Sequence, residues 1–253
     1  PPNWFAQLLD DVDTLARRAE QGGPVVASGL IGSSGTMTAA ALRRRLDRPV
    51  LLVTAHLDEA DEAADELERR DLEAVRFPAL EYVPGESNLN LELLAERLRL
   101  VRRLLAGDAP DCIVTPLQAL MQQVPAADDL PWLLRALRPG DELDPTDLVT
   151  WMSDGGYRRV ESIESPGEFA VRGGIVDVFP PGGTPARIDF FGDQIDRINE
   201  IDLDSMGSDR RLDRVEIICA DEDTVQQRGS GGVLPDLLPP ETVAILLEML
   251  ELT

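Results

Sequence analysis

Hydrophobic side chains follow two different periods along the chain, and the period changes near residue 130. Before that point, continuous apolar runs predict three buried strands, at 25–30, 49–54 and 111–116. Amphipathic helices are predicted around and between these runs, over 4–20, 37–46, 57–70 and 91–105. Strands that are apolar on both faces and alternate with helices are typical of a parallel α/β sheet.

Beyond residue 130 the spacing of apolar residues predicts antiparallel strands. Residues 133–160 predict a short strand and a helix, and alternation follows at 168–180 and at 185–202, where Gly192-Asp193 forms a turn. The last twenty residues predict a helix-like piece and an apolar strand that returns to the first sheet. We therefore expect a discontinuous α/β domain, 1–133 and 218–253, interrupted by a small α+β domain, 134–217.

Charge limits the chemistry available to this chain. Its 253 residues include 47 acidic and 24 basic side chains, a net charge of −23, and every basic side chain is Arg. Reactions that need a lysine are excluded, and so acidic a surface repels nucleic acid except at a local patch. We expect a cytoplasmic protein, and because the chain begins at Pro1 without Met we interpret it as a piece of a longer one.

Histidine and cysteine are too scarce for a metal centre. Zinc sites need about four Cys or His ligands, and the chain has only His56, Cys112 and Cys219. We expect no metal, and no apolar run approaches the roughly 20 residues that cross a bilayer. His56, at the end of a predicted strand, is interpreted as a solvated or capping side chain. The carboxylates between 58 and 66 are interpreted as a solvated helix face.

The stretch "GLIGSSGT" lies between a predicted strand and a predicted helix, which is the setting of a phosphate-binding loop. Such a loop has a Lys before its final Ser or Thr, and Gly35 takes that place here. Without the ammonium group the charge of a bound triphosphate is not compensated. We expect a degenerate loop that packs strand against helix and binds no nucleotide, consisting of Gly29, Gly32, Ser33, Ser34, Gly35 and Thr36.

The most specific run is "PGEFAVRGGIVDVFP", followed shortly by "RIDFFGD". Residues 157–202, which contain both, closely resemble the second domain of the bacterial transcription-repair coupling factors, the Mfd family. They resemble more distantly the matching domain of the excision-repair helicase UvrB. The resemblance extends over the chain, through the degenerate glycine loop, "FPALEYVPGE" and "LPDLLPPETVAILLEML". It implies a degenerate, helicase-like, P-loop-type α/β domain with an inserted domain.

In the Mfd family the inserted domain docks UvrA, the damage-recognition ATPase. Carried over by motif, the docking residues are Arg172, Arg187 and Phe191. Alternation puts Arg187 and Phe191 on one side of a strand and Phe190 on the other, and we take the Arg-bearing side as the outer one. The competing interpretation makes Phe191 a core residue. Four Arg against five carboxylates between 157 and 191 make this segment much less acidic than the rest.

The resemblance also implies that this module is a binding module with no catalytic residues and no cofactor. ATP and magnesium would belong to a C-terminal motor, and RNA polymerase and double-stranded DNA would bind other domains of the full-length protein. Another domain would mask the docking face until the motor engages.

Two alternatives remain open at the level of sequence. One is a fragment of a UvrB-type ATP-dependent DNA helicase. UvrB keeps the loop Lys and has an Asp-Glu pair near position 248, whereas this chain offers Glu248 and Glu251 without an adjacent acidic pair. The other is an acidic scaffold with no role in repair.

Overall fold

In the computed structural model the described residues are 3–27, 32–80, 90–207, 210–218 and 231–247, with side chains described from Asp10 onward. The chain divides into two compact units. The first unit comprises Pro1–Ala79, Leu100–Gln122 and Val233–Thr253, and the second comprises Leu80–Arg99 and Gln123–Gly232. The domain limits expected from the sequence, 134 and 217, stay a prediction.

Helices and strands alternate through the first half of the chain, and strands dominate the second. The helices are α1 (Asn3–Gln21), α2 (Ser34–Leu46), α3 (Leu57–Glu68), α4 (Leu91–Leu105), α5 (Leu117–Leu120), α6 (Leu130–Leu133) and α7 (Pro145–Asp154), with 3₁₀ turns at Ala127–Asp129 and Leu234–Leu237. The strands are β1 (Val50–Thr54), β2 (Ala74–Arg76), β3 (Cys112–Pro116), β4 (Leu134–Leu137), β5 (Arg158–Arg159), β6 (Glu168–Arg172), β7 (Ile175–Phe179), β8 (Ala186–Phe191), β9 (Gln194–Glu200), β10 (Val215–Ile218) and β11 (Val243–Leu246).

The first unit is built on a parallel sheet with the strand order β11-β1-β3-β2. Every residue of β1 and β3 is buried, as the continuous apolar runs predicted. Alanines of α2 and α3 pack on the sheet, among them Ala39, Ala40, Ala60, Ala63 and Ala64. The parallel α/β sheet and the return of the C-terminal strand β11 to it are therefore confirmed.

Two details of this sheet differ from the sequence prediction. Strand β2, only three residues long, was not predicted and pairs with β3 at the sheet edge. The strand expected at 25–30 is absent over 25–27, and the rest of it lies outside the described residues.

The second unit contains a five-stranded sheet with the order β5-β6-β7-β8-β9. Its strands are antiparallel except for the parallel pair β5 and β6. Two-residue turns join β6 to β7 and β8 to β9, and Gly173 and Gly192 supply the positive φ, 60° and 61°, at the first turn position. The antiparallel strands expected after residue 160 are thus confirmed.

Helix α7 covers one face of this five-stranded sheet. Asp144 caps the helix by accepting a hydrogen bond from the Thr146 N–H at 2.7 Å, and Pro145 fits the first helical position. The helix packs Leu148, Trp151 and Met152 against buried strand residues such as Phe169, Val176 and Ile188. The antiparallel pair of β4 and β10 adds Leu137, Val215 and Ile217 to the same core.

Across the described part of the chain, no helix combines the length and the apolar character needed to cross a bilayer.

Candidate docking surface

The five-stranded sheet has one face against the core and one polar face. Cross-strand partners share a face, so the register gives the polar face row by row. One row runs Arg172, Ile175, Asp189, Arg197, and the row beside it contains Asp177, Arg187 and Asn199. Phe191 lies two residues beyond Asp189 and therefore on the same face. The three docking residues expected from the sequence are thus brought to one face of one sheet.

Arg172 ends β6 at the open side of this face. Its side chain is exposed, and Nη2 donates a hydrogen bond to the Glu161 carbonyl oxygen at 2.7 Å. Arg172 forms no ion pair with any residue that the structure describes. No carboxylate of the described residues therefore neutralises its guanidinium charge, and the group can form a bidentate pair with a carboxylate from a partner.

Arg187 lies opposite Asp177 on the neighbouring strand and pairs with its buried carboxylate. Its Nε donates to Oδ1 at 2.7 Å and its Nη2 to Oδ2 at 2.8 Å, so the pair is bidentate. Asp177 is only 3% exposed, and the hydrogen bond and charge of Asp177 raise the pKa of Arg187 further above its usual value. This guanidinium already has a full carboxylate partner within the chain, in contrast to Arg172.

Phe191 projects from the end of β8 into solvent. It is 82% exposed, whereas the adjacent Phe190 is partly buried against the sheet core. A large aromatic side chain in this position gains nothing from the folding of the described residues. The structure therefore places Phe191 on the outer side of β8, as the alternation predicted, and Phe190 on the core side.

Sequence reasoning missed two residues of this face, Ile175 and Arg197. Arg197 was missed because a β-bulge in β9 changes the face on which its side chain lies. The register shifts between Asp189 and Phe190, so that Asp189 lies opposite Arg197 and Asp196 is left without an opposite residue. The sequence does hold a signal for the bulge, because Ile195 and Ile198 are three residues apart and break the two-residue alternation of a strand; the structure buries both.

Glu168 marks the other end of the polar face, next to β5. It is buried, and its carboxylate accepts hydrogen bonds from the backbone N–H groups of Glu164 at 2.7 Å and Ser165 at 3.0 Å and from Arg158. These donors, the Glu164 N–H first, lower the pKa of Glu168 below its usual range. A small apolar cluster of Ile163, Ala170 and Ile201 lies at this end, whereas Arg172 and Phe191 at the opposite end are exposed.

The glycine loop, the second candidate site, is described from Gly32 onward, and Gly29 lies outside the described residues. Gly32 has a positive φ of 55°, Ser33 precedes α2, and Ser34, Gly35 and Thr36 form its first turn. A Cβ atom added to Gly35 would lie 2.8 Å from Leu247 Cδ2. Position 35, where a phosphate-binding loop has its Lys, is therefore packed against the segment that follows β11.

A carboxylate of the chain itself lies at the amino end of α2. The hydroxyl groups of Ser33 and Thr36 donate hydrogen bonds to the two carboxylate oxygens of Glu66, which belongs to α3. The Ser33 and Thr36 hydroxyls lower the pKa of Glu66, so it is held as an anion. An anion thus already occupies the end of the helix where a phosphate group would bind.

His56 and Cys112 take structural positions. His56 is exposed, as a solvated side chain was expected to be, and it takes the N-cap position of α3, where its backbone N–H donates to the Glu59 carboxylate at 3.2 Å. Cys112 is buried in β3, and this burial raises the pKa of its thiol to about 12, so the thiolate that reacts is scarce at neutral pH. Cys219 lies outside the described residues.

Residues 136–222 match the sequence model of the UvrB interaction domain family. The matched segment, about a third of the chain, contains the whole polar face and the strands that carry it.

Similarity to individual proteins extends over most of the chain. The chain is 28% identical over 223 residues to the transcription-repair-coupling factor of Bacillus subtilis (strain 168), and the match covers 86% of this chain and 19% of that protein. The corresponding factors of Staphylococcus epidermidis (strain ATCC 35984) and Staphylococcus aureus (strain MRSA252) are 27% identical over 201 residues and 28% over 200, each covering 78% of this chain and 17% of the relative. The resemblance inferred from the sequence is confirmed, and the chain spans less than a fifth of the length of these relatives.

Proposed function

We propose that this chain is the UvrB-like module of a transcription-repair coupling factor and that it recruits UvrA for nucleotide excision repair through the polar face of its five-stranded sheet. The observation that carries the proposal is Phe191, 82% exposed on a segment that matches the UvrB interaction domain. An aromatic side chain with so little cover in its own chain is typical of a binding hot spot.

The chemistry of the face fits a protein partner with acidic groups. Arg172, which has no ion pair among the described residues, lies on the same face of the sheet as the exposed ring of Phe191, and Arg with aromatic residues is the usual composition of hot spots. Arg187 contributes through the part of its side chain that stays exposed, about a fifth, while its bond to Asp177 fixes β7 against β8. The three residues expected from the sequence, Arg172, Arg187 and Phe191, are therefore retained in the proposal.

We further propose that this module is not an enzyme and binds no nucleotide or other cofactor. Two contacts support a degenerate site: Leu247 fills the space beside Gly35, and the Glu66 carboxylate takes the hydroxyl donors of Ser33 and Thr36. A triphosphate would have to displace that carboxylate and would meet no ammonium group, since the chain has no lysine. The helicase-like ancestry of the fold is part of the same proposal.

In the full-length protein we propose RNA polymerase and double-stranded DNA as partners of other domains, with a C-terminal domain masking this face until the motor engages. This role assigns the protein to the cytoplasm.

A titration of purified UvrA with this chain tests the recruiting role. The parent should bind, and Arg172→Glu should weaken binding by more than about 2 kcal/mol, the hot-spot range, with an unchanged melting temperature. Arg18→Glu makes the same change of charge on the exposed surface of α1, in the other unit, and should bind like the parent. Equal affinity of Arg172→Glu and Arg18→Glu would remove Arg172 from the interface. Micromolar binding of ATP would favour the helicase alternative instead.

A further inference from the structure

We infer that Arg197 and Ile175 are additional docking residues, and that the surface is a row across four strands with an arginine at each end. This inference rests on the proposed function and specifies the partner's side of the contact. The row consists of Arg172 on β6, Ile175 on β7, Asp189 on β8 and Arg197 on β9, each directly opposite the next.

Exposure along the row supports a contact surface. Ile175, the first residue of β7 after the Gly173-Gly174 turn, is 37% exposed, and the Arg197 side chain is 53% exposed. Phe191 stands beside them at 82%. The row thus presents the apolar side chain of Ile175 between two guanidinium groups, and Phe191 lies on the same face at the next outward-facing position of β8.

The pairing of Asp189 leaves the row incompletely bonded. Arg197 Nε donates to Oδ2 of Asp189, and Oδ1 is buried without a hydrogen-bond donor in the described part of the chain. A buried acceptor without a donor is unfavourable. A rotation of the Arg197 guanidinium that brings a second N–H to Oδ1 would relieve it. The row itself has one carboxylate against two guanidinium groups, and the charge of the exposed Asp196 at the bulge also acts on Arg197.

This arrangement defines the chemistry of the partner surface. Neighbouring strands are about 4.8 Å apart, so the two ends of the row are on the order of 14 Å apart. We expect UvrA to present an apolar recess for Phe191 and Ile175, flanked by two acidic side chains that meet Arg172 and Arg197. Such charge complementarity fixes the register of docking as well as its strength.

The β-bulge makes this assignment specific to one residue. Without the register shift, Asp196 would lie opposite Asp189 and would bring two carboxylates together at the centre of the row. The bulge instead brings Arg197 to the polar face and keeps both Ile195 and Ile198 in the core.

Titrations of UvrA with single variants test the inference. Arg197→Gln should weaken binding about five- to tenfold, and Ile175→Thr, which keeps a β-branched side chain, should also weaken it severalfold. The matched control is Arg210→Gln. Arg210 is 77% exposed and paired with Glu200, whose place in β9 puts it on the core side of the sheet and not in the row. That variant should bind within twofold of the parent.

Two further measurements separate a direct contact from a structural role. The double variant Asp189→Asn/Arg197→Gln keeps a neutral pair on the sheet, and it should bind as weakly as Arg197→Gln if Arg197 itself meets the partner. In the double variant Arg172→Gln/Arg197→Gln, the fold-losses of UvrA affinity measured for the two single variants should multiply, because the two sites are too far apart to couple. The loss of affinity with added salt should also be less steep in Arg197→Gln than in the parent.

The possible outcomes distinguish the docking row from the recruiting role. If the parent and Arg172→Gln behave as expected while Arg197→Gln binds like Arg210→Gln, the row is wrong and the recruiting role stands. Restoration of parent affinity in Asp189→Asn/Arg197→Gln would show that Arg197 acts only by neutralising Asp189, which overturns the inference. A parent chain that does not bind UvrA overturns both.

Discussion

Truncating Phe191 to Ala should separate binding from folding. Its ring is 82% exposed, so removing it deletes almost no internal contact and should change the free energy of unfolding by less than about 0.5 kcal/mol. A Phe side chain offers about 200 Å² of surface, and most of it is available to a partner. At about 25 cal/mol per Å², full burial is worth up to roughly 4 kcal/mol.

The expected loss of UvrA affinity is therefore about 2–4 kcal/mol, or roughly 30- to 1000-fold in Kd. Isothermal titration with purified UvrA measures it, and denaturant unfolding of the same sample measures stability. The control is Phe190→Ala, one residue away on the opposite face. Phe190 packs against the sheet core, so its truncation should cost stability, toward the about 3 kcal/mol typical of buried Phe.

The opposite pattern would refute the assignment of the two faces. If Phe191→Ala destabilises the chain as much as Phe190→Ala, or if UvrA binds Phe191→Ala with parent affinity, Phe191 is not the anchor of the docking surface.

Two other predictions concern the glycine loop and the Glu168 end of the polar face. Gly35→Lys should not create ATP turnover in a phosphate-release assay and should lower the melting temperature, since even its Cβ lies 2.8 Å from Leu247 Cδ2, an overpacking worth about 1–3 kcal/mol. Glu168→Gln should be less stable than the parent at neutral pH. Because the folded chain lowers the pKa of Glu168, its contribution is complete above the ordinary value near 4.5 and is lost as the pH falls through the lower folded value. The gap in melting temperature should thus close in acid, and a gap independent of pH would contradict this.

The parallel sheet could be predicted because its strands are buried on both faces. Continuous apolar runs such as 49–54 and 111–116 have no other simple explanation between amphipathic helices. Strand β2 lacked this signal, because an edge strand of three residues is too short for a pattern and Arg76 is exposed. Its pairing with β3 is set by tertiary contacts and not by local sequence.

The polar face could be predicted only in part. Alternation was enough to place Arg187 and Phe191, but the β-bulge shifts every pair beyond it by one residue. Two isoleucines three apart, Ile195 and Ile198, are the one local sign of that shift. A straight count from the Gly192-Asp193 turn would have put Arg197 into the core.

Burial of the carboxylates on this face could not be read from the sequence at all. Asp177 and Asp189 look like solvated residues of a polar strand, yet they are 3% and 8% exposed. Their cover is the arginine that lies opposite each one, Arg187 and Arg197. These pairs emerge only from the strand register, and so does the contrast with Arg172, which has no ion pair among the described residues.

The position of β11 has a consequence for how the molecule is made. Val50 of β1 pairs with Val243 of β11, which is synthesised about 190 residues later, and strand pairings so distant in sequence form slowly. The hairpins of β6 to β9, in contrast, join neighbours in the chain. During synthesis the sheet that carries Phe191 can therefore assemble while β1, an apolar strand, still has one edge unpaired. The unfinished first unit is then the part of this chain most exposed to aggregation.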